Sequence, residues 1–320
     1  MKPVALITGI TGQDGSYLAE RLLSLEYEVH GTIRNGSRVK ESWIGPSLDR
    51  ITLHEINASF ENSWATLLQQ IEPREIFHLA SQTHVAVSFQ EPFATTDANS
   101  LSTLHLLEAV RKYRPETRLF HASSSQIFGQ PDHEPQDENT PHRPLSPYGA
   151  SKSFATQLVK IYRETHGLFA VNGILYNHES PRRGVQFVTA KICRAAAAIK
   201  SGREKELYLG DTSAERDWGD ARDFIEGFRL ALNVGKANDY VFATGILHRV
   251  QDVVEIAFGT MGLDWRSYLR TDPNLFRSSE PHRLVGNSFL AQEKLGWRPT
   301  KTFQVLIEEM TRSALDCNRT

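Results

Sequence analysis

The chain has only two cysteines in 320 residues, Cys193 and Cys317, and their separation suits neither a metal site nor a disulfide framework. A reducing compartment is therefore expected. Long apolar runs are missing, so no stretch reads as a membrane span. The N-terminus passes straight into a strand-like run, which predicts a cytosolic protein without a signal peptide. An excess of one charge is lacking too. Lys and Arg number 36 and Asp and Glu 38, for a net charge of −2. That balance argues against nucleic acid as the main partner and confines anion binding to local sites. The histidines His78, His84, His121, His178 and His282 show no ligand spacing, and no H-E-x-x-H helix occurs, so no metal is expected. Internal repeats, low-complexity tracts and flexible linkers are absent as well.

What is present begins with Thr8-Gly9-Ile10-Thr11-Gly12-Gln13-Asp14-Gly15. The run before it, Val4-Ala5-Leu6-Ile7, has the continuous apolar character of a buried parallel strand. The segment after it carries Leu18, Leu22, Leu23 and Leu25 at near-helical spacing. Gly9, Gly12 and Gly15 thus fall where a strand turns into a helix, and there backbone N–H groups can approach a diphosphate at the positive helix end. The spacing is G-x-x-G-x-x-G, one residue away from the common dinucleotide fingerprint.

Strand-like runs at 3–8, 27–33, 51–56, 75–80, 117–123 and 168–175 alternate with helical stretches near 13–25, 60–71, 94–113 and 147–166. Such alternation predicts an α/β protein with a Rossmann-type, doubly wound parallel sheet. After residue 176 the rhythm changes. Helices are expected at 187–200, 220–234, 249–261 and 303–315, with strands at 207–209 and 240–243, the latter able to return to the main sheet. The predicted division is a dinucleotide-binding domain over 1–175 plus about 215–245, and a smaller mixed α/β substrate lobe over 176–214 and 246–320.

Tyr148 and Lys152 lie four apart at the start of a helix, after the turn-forming Pro144-Leu145-Ser146-Pro147. That spacing puts both on one face. A free tyrosine titrates near ~10. An adjacent ammonium and an oxidised nicotinamide favour its phenolate, which can take the proton of an alcohol as hydride leaves carbon.

Together with these residues, the runs 9–15, 78–89, 146–148, 172–184, 187–189 and 216–219, and Phe276-Arg277 followed by Glu280, resemble the extended short-chain dehydrogenase/reductases, and within them the GDP-mannose 4,6-dehydratases. The similarity runs from residue 3 to about 312, and Asn177-His178-Glu179-Ser180-Pro181-Arg182-Arg183-Gly184 is its most specific part. The resemblance implies oxidation at C4 of a nucleotide-linked sugar followed by loss of water, with Tyr148 as base, Lys152 supporting it and Ser124 holding the C4 oxygen. It implies cofactor contacts from Gly9, Thr11, Gly12, Gln13, Asp14, Gly15, Arg34, Asn57, Ala58, Leu79, Ala80, Ser81, Tyr148, Lys152 and His178. Substrate contacts are implied for Thr83, Val85, Ser88, Asn177, Glu179, Arg183, Val188, Lys191, Arg216, Arg277 and Glu280. The family forms dimers or tetramers, so a homodimer or homotetramer is expected, with a GDP-sugar as partner.

Gln126 departs from the family, whose members carry Glu there to remove the C5 proton. An amide cannot accept a proton at neutral pH, and loss of a placed base typically lowers the rate by ~10²–10⁴. Gln126 leaves three readings: a 4,6-dehydratase of a GDP-hexose or GDP-heptose, an enzyme restricted to C4 redox chemistry, and a cofactor-binding regulator. Glu179 is the first carboxylate to consider as a substitute base. Arg34, followed by Asn35 and with Arg38 nearby, favours NADP over NAD, and no acidic residue stands where an NAD ribose would be held.

Overall fold

The computed structural model describes residues 2–34, 36–37, 39–275 and 283–317. Asn35, Arg38, Phe276, Arg277, Glu280 and His282 lie outside the described residues. Among the described residues, no helix is long and apolar enough to cross a membrane.

Seven strands build the large sheet. They are β1 (Val4–Thr8), β2 (Glu28–Ile33), β3 (Ile51–Glu55), β4 (Glu75–His78), β5 (Arg118–Ala122), β6 (Ala170–Leu175) and β10 (Asp239–Phe242). Their order is β10-β6-β5-β4-β1-β2-β3, and every adjacent pair is parallel. β1 and most of β6 are apolar because both faces are covered, whereas β2 and β3, toward the edge, carry His30, Thr32, Thr52 and His54. On one face, α1 (Gln13–Ser24) and α8 (Ala221–Leu232) bury Leu18, Leu22, Phe224 and Phe228 against the sheet. On the other, α2 (Glu61–Ile71), α5 (Ser102–Tyr113) and α6 (Pro147–His166) bury Trp64, Leu107 and Val159. Strand order reverses between β1 and β4, and the carboxyl ends flanking such a reversal form the crevice in which doubly wound sheets bind ligands.

The last strand joins from far along the sequence. Phe242 on β10 meets Phe228 at a centroid distance of 6.1 Å and Trp297 at 5.0 Å, while Phe120 stacks on Phe228 at 4.4 Å. Trp297 Nε1–H also donates to the Asp223 carbonyl at 2.7 Å. Each aromatic pair contributes roughly 0.5–1.5 kcal/mol beyond area burial.

A second core lies between α7 (Val188–Lys200), α9 (Val250–Thr260) and α11 (Phe303–Cys317), and includes Ile192, Val253, Phe258 and Ile307. A three-stranded sheet joins the two cores: β9 (Glu215–Asp220) pairs parallel with β7 (Asn177–Glu179) and antiparallel with β11 (Leu247–Arg249). A further pair is β8 (Leu207–Leu209) with β12 (Leu269–Thr271). The expected strands and helices form within a few residues of their predicted ends. The exception is 94–113, which is not one helix. It consists of α4 (Pro92–Thr96), a π-helical turn (Asp97–Leu101) and then α5. The Ser102 and Thr103 hydroxyls donate to the carbonyls of Ala98 and Asn99 at 2.6 and 2.8 Å. These bonds help satisfy carbonyls that an i→i+5 turn leaves poorly served. A short helix, α3 (Val85–Gln90), precedes α4.

Candidate functional site

The site is built at the carboxyl ends of β1, β4 and β5. Gly9 follows β1 with φ +70°, and a Cβ there would lie 3.0 Å from the Ala80 backbone. A Cβ on Gly15 would lie 2.4 Å from the Gly9 carbonyl oxygen and 2.6 Å from Ile10 Cα. Only glycine lets these two backbones and α1 approach so closely. Gly12 precedes the helix and brings no capping side chain, so the first-turn N–H groups face outward, available to an anion. This cradle suits a dinucleotide diphosphate.

A hydrogen-bond chain that leaves no spacing signal holds the cradle. The N–H groups of Leu79 and Ala80 donate to Thr8 Oγ1 at 3.0 and 2.9 Å, so the Thr8 hydroxyl donates its own proton to His78 Nδ1 at 3.0 Å. His78 Nε2–H then donates to Thr103 Oγ1 at 3.2 Å. The His78 ring is neutral, since burial, aided by the Lys152 charge, pushes its pKa down to about 3. Asn99, in the π-helical turn, accepts from the Ser81 hydroxyl at 2.9 Å and from Gln82 N–H at 2.8 Å, and donates to Ser151 Oγ at 3.0 Å. The Ser151 hydroxyl donates to the Tyr148 carbonyl at 2.8 Å. Thr8, His78 and Asn99 therefore tie the glycine turn to the helix that carries Tyr148, and sequence reasoning missed all three roles.

Ser146 caps α6 by accepting from Gly149 N–H at 3.0 Å, which starts the helix just before Tyr148. The Tyr148 phenol is buried and faces the Ser124 hydroxyl. Burial raises its pKa, opposed by the Ser124 hydrogen bond and the Arg183 charge, while Asp14 adds to the rise. The phenol therefore holds its proton. Lys152 Nζ donates to the Ala122 carbonyl at 2.8 Å, at the end of β5. Burial pushes the Lys152 ammonium down to about 7. Gln126 is half-buried in the turn after Ser124, and among the described residues its side-chain amide has no hydrogen-bond partner.

His178 and Asp14 pair at 2.9 Å, within the same electrostatic neighbourhood as Arg183 and Tyr148. Glu179 is buried, accepts from the Thr189 hydroxyl at 2.6 Å and pairs with Arg183 at 3.1 Å. A carboxylate engaged in this way is a structural acceptor and a poor substitute base. The Arg183 guanidinium also lies over the Phe187 ring at 3.6 Å.

Other expected site residues lie farther out. Thr83 is exposed at the lip, Val85 begins α3, and Ser88 is buried with its hydroxyl on the Val85 carbonyl at 2.6 Å. Arg34 is exposed beyond β2. Asn57 accepts from Ser59 N–H at 3.1 Å, and the Ala58 carbonyl receives Trp64 Nε1–H at 3.0 Å. Asn177 opens β7, Val188 opens α7, and Arg216 is buried on β9. Lys191 is exposed and donates to the Tyr208 carbonyl at 2.6 Å. Thr11 is half-buried beside the glycine turn. Among the described residues, no group of three or more His, Cys, Asp or Glu gathers as a metal would require.

Residues 6–310 match the family model described as GDP-mannose 4,6 dehydratase. GDP-mannose 4,6 dehydratase 2 of Arabidopsis thaliana is 44% identical, over 98% of this chain and 87% of that protein. GDP-mannose 4,6-dehydratase of Vibrio cholerae is 40% identical, over 98% and 94%. Among solved structures, UDP-glucose 4-epimerase of Thermus thermophilus in complex with NAD superposes with a TM-score of 0.84 at 26% identity, covering 97% of this chain and 98% of that one. The cradle, the Tyr148 site and these relationships agree: the chain belongs to the GDP-mannose 4,6-dehydratase family.

Proposed function

We propose that this protein is a nicotinamide-dependent GDP-sugar 4,6-dehydratase, acting on a GDP-hexose or GDP-heptose. The observation that carries this reading is the meeting of Ser124, Tyr148, Arg183 and the Gly9–Gly15 cradle at one edge of the sheet. When bound in the cradle, the dinucleotide supplies the hydride acceptor for C4. Tyr148 takes the proton of the C4 hydroxyl, and Ser124 holds the oxygen. Arg183, already near Tyr148, favours the phenolate. The Lys152 ammonium, carried on α6, reaches the end of β5, where it can serve the ribose. Gly9, Thr11, Gly12, Gln13, Asp14, Gly15, Ala58, Leu79, Ala80, Ser81 and His178 line the dinucleotide side. Asn177, Arg183, Val188, Lys191, Arg216, Arg277 and Glu280 serve the sugar nucleotide. Exposed Arg34 after β2 supports NADP over NAD, because it offers a cation and no carboxylate to a 2′-phosphate.

The dinucleotide body comprises 1–175 with about 215–245, and the sugar-nucleotide body 176–214 with 246–320. The protein is a homodimer or homotetramer. Exposed Phe89, Phe93, Leu101, Phe154 and Ile161, on α3, α4, the π-helical turn and α6, support association through that face.

A second reading has one observation in its favour. Gln126 offers an amide where elimination needs a proton acceptor, and Glu179 is committed to Thr189 and Arg183. On that reading the chemistry stops at C4, as a dehydrogenase, epimerase or ketoreductase. Incubation with GDP-mannose and with a GDP-heptose, followed by mass spectrometry, separates the two. Loss of water supports dehydration. Loss of two hydrogens, or an isobaric product, overturns it in favour of C4 chemistry. Absence of turnover with tight dinucleotide binding points to a regulator.

A further inference from the structure

The first turn of α1 is stitched to the segment that begins at β7. Gln13 Nε2 donates to the His178 carbonyl at 3.1 Å, and the Ser180 hydroxyl donates to Gln13 Oε1 at 2.7 Å. Arg182 donates to Ser16 Oγ at 3.0 Å and to Glu20 Oε1 at 2.7 Å, with its guanidinium 3.9 Å above the Tyr17 ring. At the centre is His178. Its Nδ1 lies 2.8 Å from the Tyr176 carbonyl oxygen and its Nε2 lies 2.9 Å from Asp14 Oδ2. A carbonyl and a carboxylate can only accept, so both ring nitrogens carry protons and the ring is an imidazolium. Burial opposes the charge on each partner. The partner's opposite charge and hydrogen bond outweigh it, which leaves Asp14 below and His178 above its ordinary pKa.

Asp14 occupies the turn whose outward N–H groups suit a diphosphate, and a bare carboxylate there repels that ligand. We propose that the Asp14–His178 ion pair is a latch: it fastens the 178–183 segment to the dinucleotide helix and cancels the Asp14 charge so that the diphosphate is accepted. Both are positioning residues in this role. The inference rests on the dinucleotide reading above, and it adds a coupling between cofactor binding and the placement of Arg183, five residues after His178.

The charged and titratable groups around the pair are few. His178 faces Asp14 from α1, Arg183 from its own segment and the uncharged Phe224 ring from α8, stacked at 4.7 Å. Asp14 faces His178, Gln13 and Arg183, and its charge also reaches Tyr148 on α6. The stabilisation from His178 is complete below its ordinary pKa of 6.5 and is lost as pH rises through the raised value. That from Asp14 is present above its ordinary 3.8 and is lost as pH falls through the lowered value. The latch therefore opens on the alkaline side.

The test measures NADPH affinity of the full chain from about pH 7 upward to about pH 9.5, on the alkaline side of the ordinary histidine value. Wild type should weaken by about tenfold, the size of a typical coupling between two sites. Asp14→Asn, whatever its affinity at neutral pH, should lose affinity less steeply than wild type toward the alkaline end. Lys152 titrates in both proteins, so the comparison isolates the pair. A histidine nitrogen NMR spectrum of wild type, with His178 assigned by its loss in His178→Gln, should show a doubly protonated ring at neutral pH. This second reading needs no folded Asp14→Asn variant. Equal pH slopes in the two proteins, or a neutral His178 ring with NADPH binding intact, overturn the latch alone. A wild type that binds no pyridine dinucleotide at any pH overturns the functional reading and with it the proposed purpose of the latch.

Discussion

The ammonium of Lys152 bonds the carbonyl oxygen of Ala122 at 2.8 Å, one helical turn beyond Tyr148, whose phenol faces Ser124 instead. Burial lowers Lys152 to about 7. Between that value and its ordinary 10.5, the unfolded chain holds a proton that the folded chain has released, so this residue's contribution to stability rises with pH across that window. A dinucleotide whose ribose hydroxyls accept from Lys152 restores the charge. Binding in mildly alkaline buffer should therefore take up part of a proton. Calorimetry in buffers of different ionisation enthalpy measures this uptake, and Lys152→Met should reduce it to the share that His178 contributes. Identical apparent enthalpies in all buffers would contradict the assignment.

Replacing Tyr148 by Phe removes the one phenol placed on Ser124 while keeping the ring's packing. Hydride transfer should fall by ~10²–10⁴, the range for loss of a positioned acid–base group. Dinucleotide affinity should change little. Nicotinamide absorbance in a single turnover reads the first quantity, and fluorescence titration reads the second.

Gln126 stands in the half-buried turn that follows Ser124, and its amide makes no hydrogen bond to other described residues. Gln126→Glu is therefore expected to fold normally and to raise the yield of dehydrated product by ~10² or more if the absent carboxylate limits elimination. Mass spectra of the product, taken alongside wild type, decide the point. An unchanged water-loss signal would show that position 126 does not set the reaction's end point.

Gly15→Ala would force a methyl to within 2.4 Å of the Gly9 carbonyl oxygen and 2.6 Å of Ile10 Cα. Both neighbours are backbone, so relief requires α1 to move off β1. A loss of about 1–3 kcal/mol is expected from such overpacking. Dinucleotide affinity should fall further, because the first-turn N–H groups move with the helix. Chemical denaturation and NADPH titration measure the two effects.

The large sheet was legible because short strand-like runs, such as Val4-Ala5-Leu6-Ile7, alternate with stretches of helical periodicity. The Tyr148–Lys152 pair was legible from its spacing together with the strand leading into Ser123–Ser125 and the glycine turn after β1. The joining sheet was not, since Asn177-His178-Glu179 and Leu247-His248-Arg249 are three-residue strands without apolar alternation. The π-helical turn was hidden for a different reason. Leu101, its last residue, keeps helical spacing with Leu104 and Leu107 in α5, and one extra residue in a turn leaves the pattern readable as a single helix. His78, Asn99 and the Asp14–His178 pair were invisible as functions because their partners are 70, 52 and 164 residues away in sequence. Only the folded chain brings these partners within reach of one another.

Trp297 closes the core around Phe224 and Phe242, beneath strands that the ribosome makes long before it. A nascent chain that has emitted β1 through β6 still lacks the sheet's outer strand and the indole that plugs its base. Such an intermediate leaves the aromatic layer wet until that indole has emerged. Premature termination anywhere before this tryptophan should therefore leave fragments that chaperones hold and proteases clear.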